Sequence, residues 1–184
     1  MIPKRDSSFY RLAPELRALY LTGMPKAYLS GSPVIPQFRN EKTSNGILRS
    51  NIQQEAFDSF KKSELGNQQF VIFCSSPSDH QALQCVTGVL RERHSAGFNK
   101  FEFVHPSEAI PTSPDLTKDL YILTGVHESD TSILPQVRKW ARTPLGAEIW
   151  LILTSKEPCK WFNESLGVRP QFLFSFKESA ISVG

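Results

Sequence analysis

The stretch that decides the fold is QFVIFCSSPSDHQAL, residues 69–83. It opens with an apolar run over 69–74 that shows no polar alternation, which predicts a strand buried on both faces of a sheet. A polar turn follows, in which Ser78 or Asp79 can cap a helix. The helix predicted over 79–95 buries one apolar face, so a buried strand leads directly into an amphipathic helix.

Toward the C-terminus the chain repeats this alternation of apolar runs and helical spacing. Such a series is typical of a parallel sheet whose strands are joined by right-handed helical crossovers. The sequence therefore predicts an α/β fold, a three-layer parallel sheet of about five strands. Its predicted strands are 69–74, 100–104, 119–124, 147–154 and 171–176, and its predicted helices are 79–95, 131–142 and 157–166.

Toward the N-terminus the pattern changes. Apolar residues at helical spacing predict a short helix over 9–22. Repeated glycines and prolines over 23–50 predict a loop or an extended connector. We therefore divide the chain into an N-terminal helical and extended arm, residues 1–50, and an α/β core, residues 51–184, which opens with a helix over 51–63.

The excess of basic residues lies in the arm. Residues 1–50 hold eight bases and three acids, a net charge of +5, whereas residues 61–184 hold 13 bases and 13 acids. A basic segment can bind an acidic partner or nucleic acid, although a solvated arm without a partner has the same composition. The candidate partner-binding residues lie in the arm and on the helix over 131–142; they are Arg11, Arg17, Lys26, Arg138, Lys139 and Arg142.

Composition excludes several classes of protein. Hydrophobic residues are 40% and charged residues 21% of the 184-residue chain, which is typical of globular domains and not of disordered or collagen-like chains. No apolar run reaches the ~18 residues that span a bilayer, and the N-terminus lacks the apolar region of a secretory signal. Three widely spaced cysteines without a CxxC pair indicate reduced thiols. We therefore expect a cytoplasmic protein without a membrane partner.

Open α/β sheets bind ligands at the carboxyl ends of their strands, so the turns there hold the candidate site residues. The turn after the first strand has no glycine and no lysine for binding phosphate, and Asp79 would repel phosphate. The third strand ends at Thr124, without the acids that hold magnesium. We therefore predict no cofactor in this degenerate loop, which consists of Ser75, Ser76, Ser78, Asp79 and Gln81.

Histidines follow several of these strands as well. His80, His105 and His127 lie at carboxyl-end turns, and with Cys74 they suggest zinc, but no pair has HxxxH or CxxC spacing. A serine nucleophile with a histidine base is a further possibility, but the chain has no GxSxG elbow. We therefore predict no metal site and no catalytic residue. The enzyme alternative would use Ser75, His105, His127 or Glu128.

In the order of its pieces the chain resembles the ATPase domain of the DnaC/IstB-type helicase loaders, a branch of the AAA+ superfamily of P-loop NTPases. GMPKAY at 23–28 is similar to the family's approach segment, and FVIFCSSPSDHQAL at 70–83 stands in the place of its first strand and GPPGTGKT loop. Residues 88–110 are similar to the next helix and strand, and DLYILTG at 119–125 stands in the place of the Walker-B strand. The stretch 147–170 is similar to the sensor-1 strand and the short helix after it.

This resemblance implies an AAA+-like core and an ancestry in replication or transposition ATPases, without ATP hydrolysis. Gln81 and Ala82 stand near the places of the Walker-A lysine and threonine, both Walker-B acids are missing, and Thr154 or Ser155 holds the sensor-1 place. We expect no helical lid, and we transfer no arginine-finger role to Arg169. The resemblance thus implies a pseudo-ATPase, a non-catalytic accessory or adaptor subunit that binds a protein partner such as an active ATPase, a helicase or a larger assembly.

Two other interpretations stay open. The first is a nucleic-acid-binding accessory protein of replication or transposition that uses the basic segment 1–50. The second is a receiver-like domain, which would carry an acid at the end of its third strand, where this chain has Thr124. KES at 177–179 is loosely similar to the last strand of that family. A receiver-like domain without this acid would also be an α/β module that has lost its chemical activity.

Overall fold

The structure is a computed structural model that describes five segments of the chain: 36–43, 45–62, 70–95, 101–114 and 118–177. The helix predicted over 9–22, the GMPKAY segment and the candidate residues Arg11, Arg17 and Lys26 lie outside these segments. In the part that is described, no helix is long and apolar enough to cross a membrane.

Strands and helices alternate along the described chain as the sequence predicts. A 3-10 turn, Thr131–Ile133, precedes the third helix, and a π-helical turn, Phe162–Leu166, continues the fourth. In chain order the elements are β1 (Glu41–Thr43), β2 (Gly46–Leu48), α1 (Ser50–Lys62), β3 (Phe70–Ser75), α2 (His80–Ser95), β4 (Phe101–Val104), β5 (Leu120–His127), α3 (Leu134–Arg142), β6 (Glu148–Thr154), α4 (Pro158–Trp161) and β7 (Phe172–Ser175).

Five of the strands form one sheet with the order β4-β5-β6-β3-β7, and each pairing in it is parallel. β3 lies between β6 and β7, and all its residues are buried, which explains its uninterrupted apolar sequence. The predicted α/β fold with a parallel sheet of about five strands is confirmed.

The strand order also separates two of the interpretations of the sequence. Numbered along the chain within this sheet, the order is 2-3-4-1-5. Receiver-like domains have the flavodoxin-like order 2-1-3-4-5, in which the first strand adjoins the second and third. Here the first strand, β3, adjoins the fourth and fifth instead. The receiver-like interpretation is therefore wrong.

Two apolar clusters, one on each face of the sheet, produce the three layers. Successive side chains of a strand point to opposite faces, so β3 contributes to both clusters. α1 and α2 pack on the face that carries Val71 and Phe73. α3, α4 and the π-helical turn after α4 pack on the face that carries Ile72 and Cys74. The carboxyl ends of the five strands lie at one edge between these layers.

Two elements differ from the sequence predictions. β5 continues to His127, past the predicted end at residue 124, because Gly125 takes a φ of 77° and the pairing with β6 shifts register between Leu123 and Val126. Gly125, which indicates a turn in the sequence, instead lies in this β-bulge within the strand. In addition, the segment 23–50 contains the antiparallel hairpin of β1 and β2 where the sequence predicts a loop or extended connector.

The described part of the predicted arm packs on the core. Phe38 is only 4% exposed and forms an antiparallel bridge with Phe176, just beyond β7. The backbone N–H of Lys177 donates to the carbonyl of Gln37 at 2.8 Å. The segment that includes Arg39 therefore covers the carboxyl end of the edge strand β7. The division of the chain at residue 50 stays a prediction.

Candidate functional site

A polar cluster lies at the edge of the sheet where the carboxyl ends of β3, β6 and β7 meet. Its centre is a guanidinium group from the N-terminal segment, and most of its other members are buried. We call it the Arg39 cluster; it consists of Arg39, Glu41, Gln53, Cys74, Ser76, Ser155 and Ser175.

The guanidinium of Arg39 joins the ends of three strands. Its Nη1 donates to Ser76 Oγ at 2.9 Å, beside the end of β3, and its Nη2 donates to the carbonyl oxygen of Ser155 at 2.6 Å, beside the end of β6. Its Nε donates to Ser175 Oγ on β7 and lies 2.8 Å from Glu41 Oε1. A planar fork with several fixed donors suits this task, since each N–H points to a different acceptor.

The backbone around Arg39 is held as firmly as its side chain. Its N–H donates to the carbonyl of Ser175 at 2.9 Å, and its carbonyl accepts from Gln53 Nε2 on α1 at 2.5 Å. Gln53 Oε1 in turn accepts from the N–H of Ser175 at 2.7 Å. The side-chain amide of α1 therefore bridges the N-terminal segment and the edge strand.

Glu41 supplies the negative charge of the cluster. It is 4% exposed and accepts from Ser175 Oγ at 2.6 Å. Burial raises the pKa of Glu41, and the hydrogen bond from Ser175 and the positive charge of Arg39 oppose that rise only in part. The carboxyl group thus depends on its partners to stay charged at this site, and the loss of Arg39 would leave it without a counter-ion.

The degenerate loop after β3 is bound to the protein's own groups. Asp79 occupies the N-cap position, since its carbonyl accepts from Leu83 N at 2.9 Å, as the sequence predicts. Two side chains cap the helix. Ser78 Oγ accepts from His80 N at 3.4 Å, and the buried Oγ of Ser75 accepts from Ala82 N at 3.2 Å and donates to the carbonyl of Ser78 at 2.7 Å. An amide N–H at the start of α2, the kind of donor that binds phosphate in other α/β proteins, is therefore already bound.

The other two loop residues differ in surroundings. Ser76 belongs to the Arg39 cluster, and Gln81 lies half-buried in the first turn of α2. Burial raises the pKa of Asp79, the one acid of the loop. The structure thus brings the five predicted residues together but divides them between the helix cap and the Arg39 cluster.

The histidines at the strand ends bond close neighbours in the sequence. Each pairs with a polar side chain two or four residues further on, which closes a local turn. His80 Nε2 lies 3.0 Å from Gln84 Nε2. His105 Nδ1 lies 2.6 Å from Ser107 Oγ, and His127 Nδ1 lies 2.7 Å from Ser129 Oγ.

The nucleophile and base of the enzyme alternative do not meet. Ser75 is bound to Ala82 and Ser78, and neither is a histidine. Glu128 accepts instead from Ser155 Oγ at 2.7 Å, which joins the ends of β5 and β6. In the described segments no group of three His, Cys, Asp or Glu side chains is arranged to hold a metal ion.

The thiols at and near the site are buried. Cys74 is 0% exposed and donates to the carbonyl of Ser155 at 3.1 Å. Burial raises the pKa of Cys74 to about 12 and that of Cys159 to about 11, and it raises the pKa of Cys85 as well. A thiol that stays protonated is a poor nucleophile and a poor metal ligand. Cys85 and Cys159 pack in the apolar clusters, and Cys74 adds a hydrogen bond at the end of β6.

We expect the free energy of unfolding to fall as the pH rises above about 9, where an exposed thiol ionises. The folded state keeps the Cys74 proton that the unfolded chain loses. Each such thiol therefore lowers the free energy of unfolding by up to about 1.4 kcal/mol for every pH unit above that point. Urea denaturation near pH 8 and near pH 10 measures this loss. Cys74→Ser keeps a donor for Ser155 but does not titrate, so it should lose about 1 kcal/mol less. Equal losses in both proteins would contradict the assignment.

A second polar feature lies on the outer side of α3. An open groove of about 440 Å³ contains all three of the described partner-binding candidates, and its lining residues are Pro135, Arg138, Lys139, Arg142, Thr143 and Pro144. Ion pairs between described residues are Arg39 with Glu41 and Lys61 with Glu92, so no acid of that part of the chain forms an ion pair with the three cations of the groove.

Comparison of the chain with protein-family models, with curated proteins and with solved structures finds no match in any of the three. The Arg39 cluster and the groove on α3 are therefore assigned from their own geometry.

Arg39, Glu41 and Gln53 are absent from the residues predicted from the sequence. Arg39 and Glu41 are two residues apart in a polar, extended stretch, which places both side chains on one side of the chain. That spacing is the one signal that points to them. Their main partner, Ser175, follows 134 residues after Glu41, and no local pattern encodes such a contact.

Proposed function

We propose that this protein is a non-catalytic binding module of the cytoplasm, an AAA+-like accessory or adaptor subunit that binds a protein partner. The observation that carries the proposal is the guanidinium of Arg39, which occupies the carboxyl edge of β3, β6 and β7. Open α/β sheets bind their ligands at this edge. Here the hydrogen-bonding groups of the strand ends are bound to the chain's own side chains.

The turn after β3 supports the same proposal. A nucleotide phosphate at this place would have to compete with Ser75 for Ala82 N and would approach the carboxyl group of Asp79. The loop has no lysine to offset that charge. We therefore infer a pseudo-ATPase without a cofactor. Since the strand order excludes the receiver-like interpretation, the proposal keeps the helicase-loader resemblance.

The surface for the partner, in this proposal, includes Arg138, Lys139 and Arg142 on α3. They share one groove on the side of α3 that faces away from the sheet, whereas Val137 and Trp140 of the same helix are buried under it. An active ATPase, a helicase or a larger assembly are the partners that the resemblance implies. Nucleic-acid binding through residues 1–50 stays a prediction, because most of that segment lies outside the described residues.

Thermal unfolding with and without Mg²⁺-ATP tests the absence of a nucleotide site. A ligand that binds the folded state with Kd of about 10 µM would, at about 1 mM, stabilise it by about 2.7 kcal/mol. We expect no rise in Tm with ATP or ADP and no saturable heat in calorimetry. A clear rise in Tm with micromolar binding would overturn the proposal, because a nucleotide would then occupy a site that we regard as closed.

A further inference from the structure

The groove on α3 carries three cations that the described part of the chain does not neutralise. Arg138 and Arg142 are one helical turn apart and therefore lie on the same face, with Lys139 beside them. Lys139 and Arg142 are in the last turn of α3, where cations offset the helix dipole. Arg138 lies before that turn, so the dipole does not account for the whole group.

Each of the two arginines makes one hydrogen bond to a backbone carbonyl and still has free donors. Arg138 Nε donates to the carbonyl of Leu134 at 3.4 Å, and Arg142 Nη2 donates to the carbonyl of Gly167 at 3.3 Å. A guanidinium has five N–H donors in a fixed fork, so each arginine keeps the donors that a bidentate carboxylate contact needs.

The rest of the lining suits a peptide better than a nucleic acid. Pro135 and Pro144 flank the cations, and the aliphatic parts of the basic side chains add apolar surface between them. None of the six lining residues is aromatic, so the groove has no ring on which a nucleic-acid base could stack.

We infer that this groove binds an extended acidic segment of a partner protein, with acidic residues at alternate positions. The inference rests on the proposed function and names the chemistry of its partner. Four residues along a helix span about 6 Å, and side chains two residues apart on an extended chain are separated by about 6.6 Å. Arg138 and Arg142 can therefore bind two successive carboxylates on one side of such a segment.

Fluorescence anisotropy with the full chain tests the inference. The probe is a short labelled peptide in which glutamate alternates with leucine and serine, and the matched probe has glutamine for glutamate. In the groove variant, Arg138→Glu, Lys139→Glu and Arg142→Glu are combined. In the control variant, Lys156→Glu, Lys160→Glu and Lys177→Glu are combined, which changes the net charge equally at three exposed lysines outside the groove.

We expect the groove variant to bind the acidic probe at least about tenfold more weakly, a difference of about 1.4 kcal/mol, and the control variant to bind within about twofold of the parent. Circular dichroism and urea denaturation establish that both variants are folded. Equal weakening in the two variants would overturn the inference, and so would equal binding of the glutamine probe. A labelled single-stranded oligonucleotide whose binding alone depends on the groove would assign the surface to nucleic acid instead.

The two proposals fail separately. If the acidic probe does not depend on the groove while ATP leaves Tm unchanged, the partner chemistry is wrong and the closed crevice stands. If ATP raises Tm, the pseudo-ATPase proposal is wrong whatever the probe does.

Discussion

The Arg39→Met variant will lose at least about 3 kcal/mol of its free energy of unfolding, because removal of one partner from a buried ion pair leaves the other charge uncompensated. Glu41 is 4% exposed and has its counter-ion in Arg39. The same substitution removes the donors to Ser76 Oγ and to the carbonyl of Ser155. Methionine fills much of the volume of the arginine stem, so the loss measures polar contacts more than a cavity. Urea denaturation followed by circular dichroism gives the value.

A double-mutant cycle separates the ion pair from the other contacts of Arg39. We expect Glu41→Gln in the Arg39→Met background to cost less than Glu41→Gln alone, because the neutral amide no longer carries an unpaired charge. Arg142→Met, at an exposed arginine of α3, is the matched control and should change stability by no more than about 0.5 kcal/mol. If Arg39→Met costs as little as Arg142→Met, the Arg39 cluster does not hold the N-terminal segment on the sheet.

The elements of the sheet could be predicted because their signals are local. The apolar run at 69–74 and the spacing of apolar residues over 131–142 each determine one element. The observed β3 and α3 lie within these ranges or one residue beyond them, and a 3-10 turn occupies the start of the predicted helix. The order of the strands in the sheet was not predicted, because it depends on which edge each crossover reaches and not on any single segment.

The candidate site could be predicted only in its location. The carboxyl edge of a parallel sheet is a general binding place, and the structure does bring Ser75 and Ser76 there. Arg39, which occupies this edge, lies in the segment 23–50, for which the sequence predicts a loop or extended connector. Arg39 reaches Ser155 across 116 residues of sequence, and an arginine in a polar loop is usually a solvated charge. Contacts of that range become visible only when the sheet is assembled.

The Arg39 cluster also gives a structural meaning to the absence of a phosphate-binding sequence after β3. In the sequence, residues 75–81 only lack the glycines and the lysine that bind phosphate. In the structure, Ser75 and Ser76 have partners within the chain, one in the cap of α2 and one in the Arg39 cluster. Polar groups at a buried edge need hydrogen-bond partners, and here the protein provides them without a ligand. The hydrogen bonds at this edge therefore stabilise the fold.

The Phe38→Ala variant will lose about 3–5 kcal/mol of its free energy of unfolding, the usual cost of a phenylalanine truncated in a core. Phe38 is 4% exposed, and its ring lies 5.6 Å from that of Phe57, 6.0 Å from that of Phe174 and 5.1 Å from that of Phe176, measured between centroids. Alanine would leave a cavity between α1 and the edge strand, beside the backbone that positions Arg39. Urea denaturation measures the loss.

Ile47→Ala is the matched control, because Ile47 lies in the same N-terminal segment and is 58% exposed. It should change stability by no more than about 0.5 kcal/mol. The comparison tests whether the chain divides at residue 50, as the composition suggests. If the segment before residue 50 were an arm independent of the core, the two substitutions would cost equally little. A large loss for Phe38→Ala alone means that the folded unit includes Phe38, and that the residues which close the carboxyl edge of the sheet belong to the core.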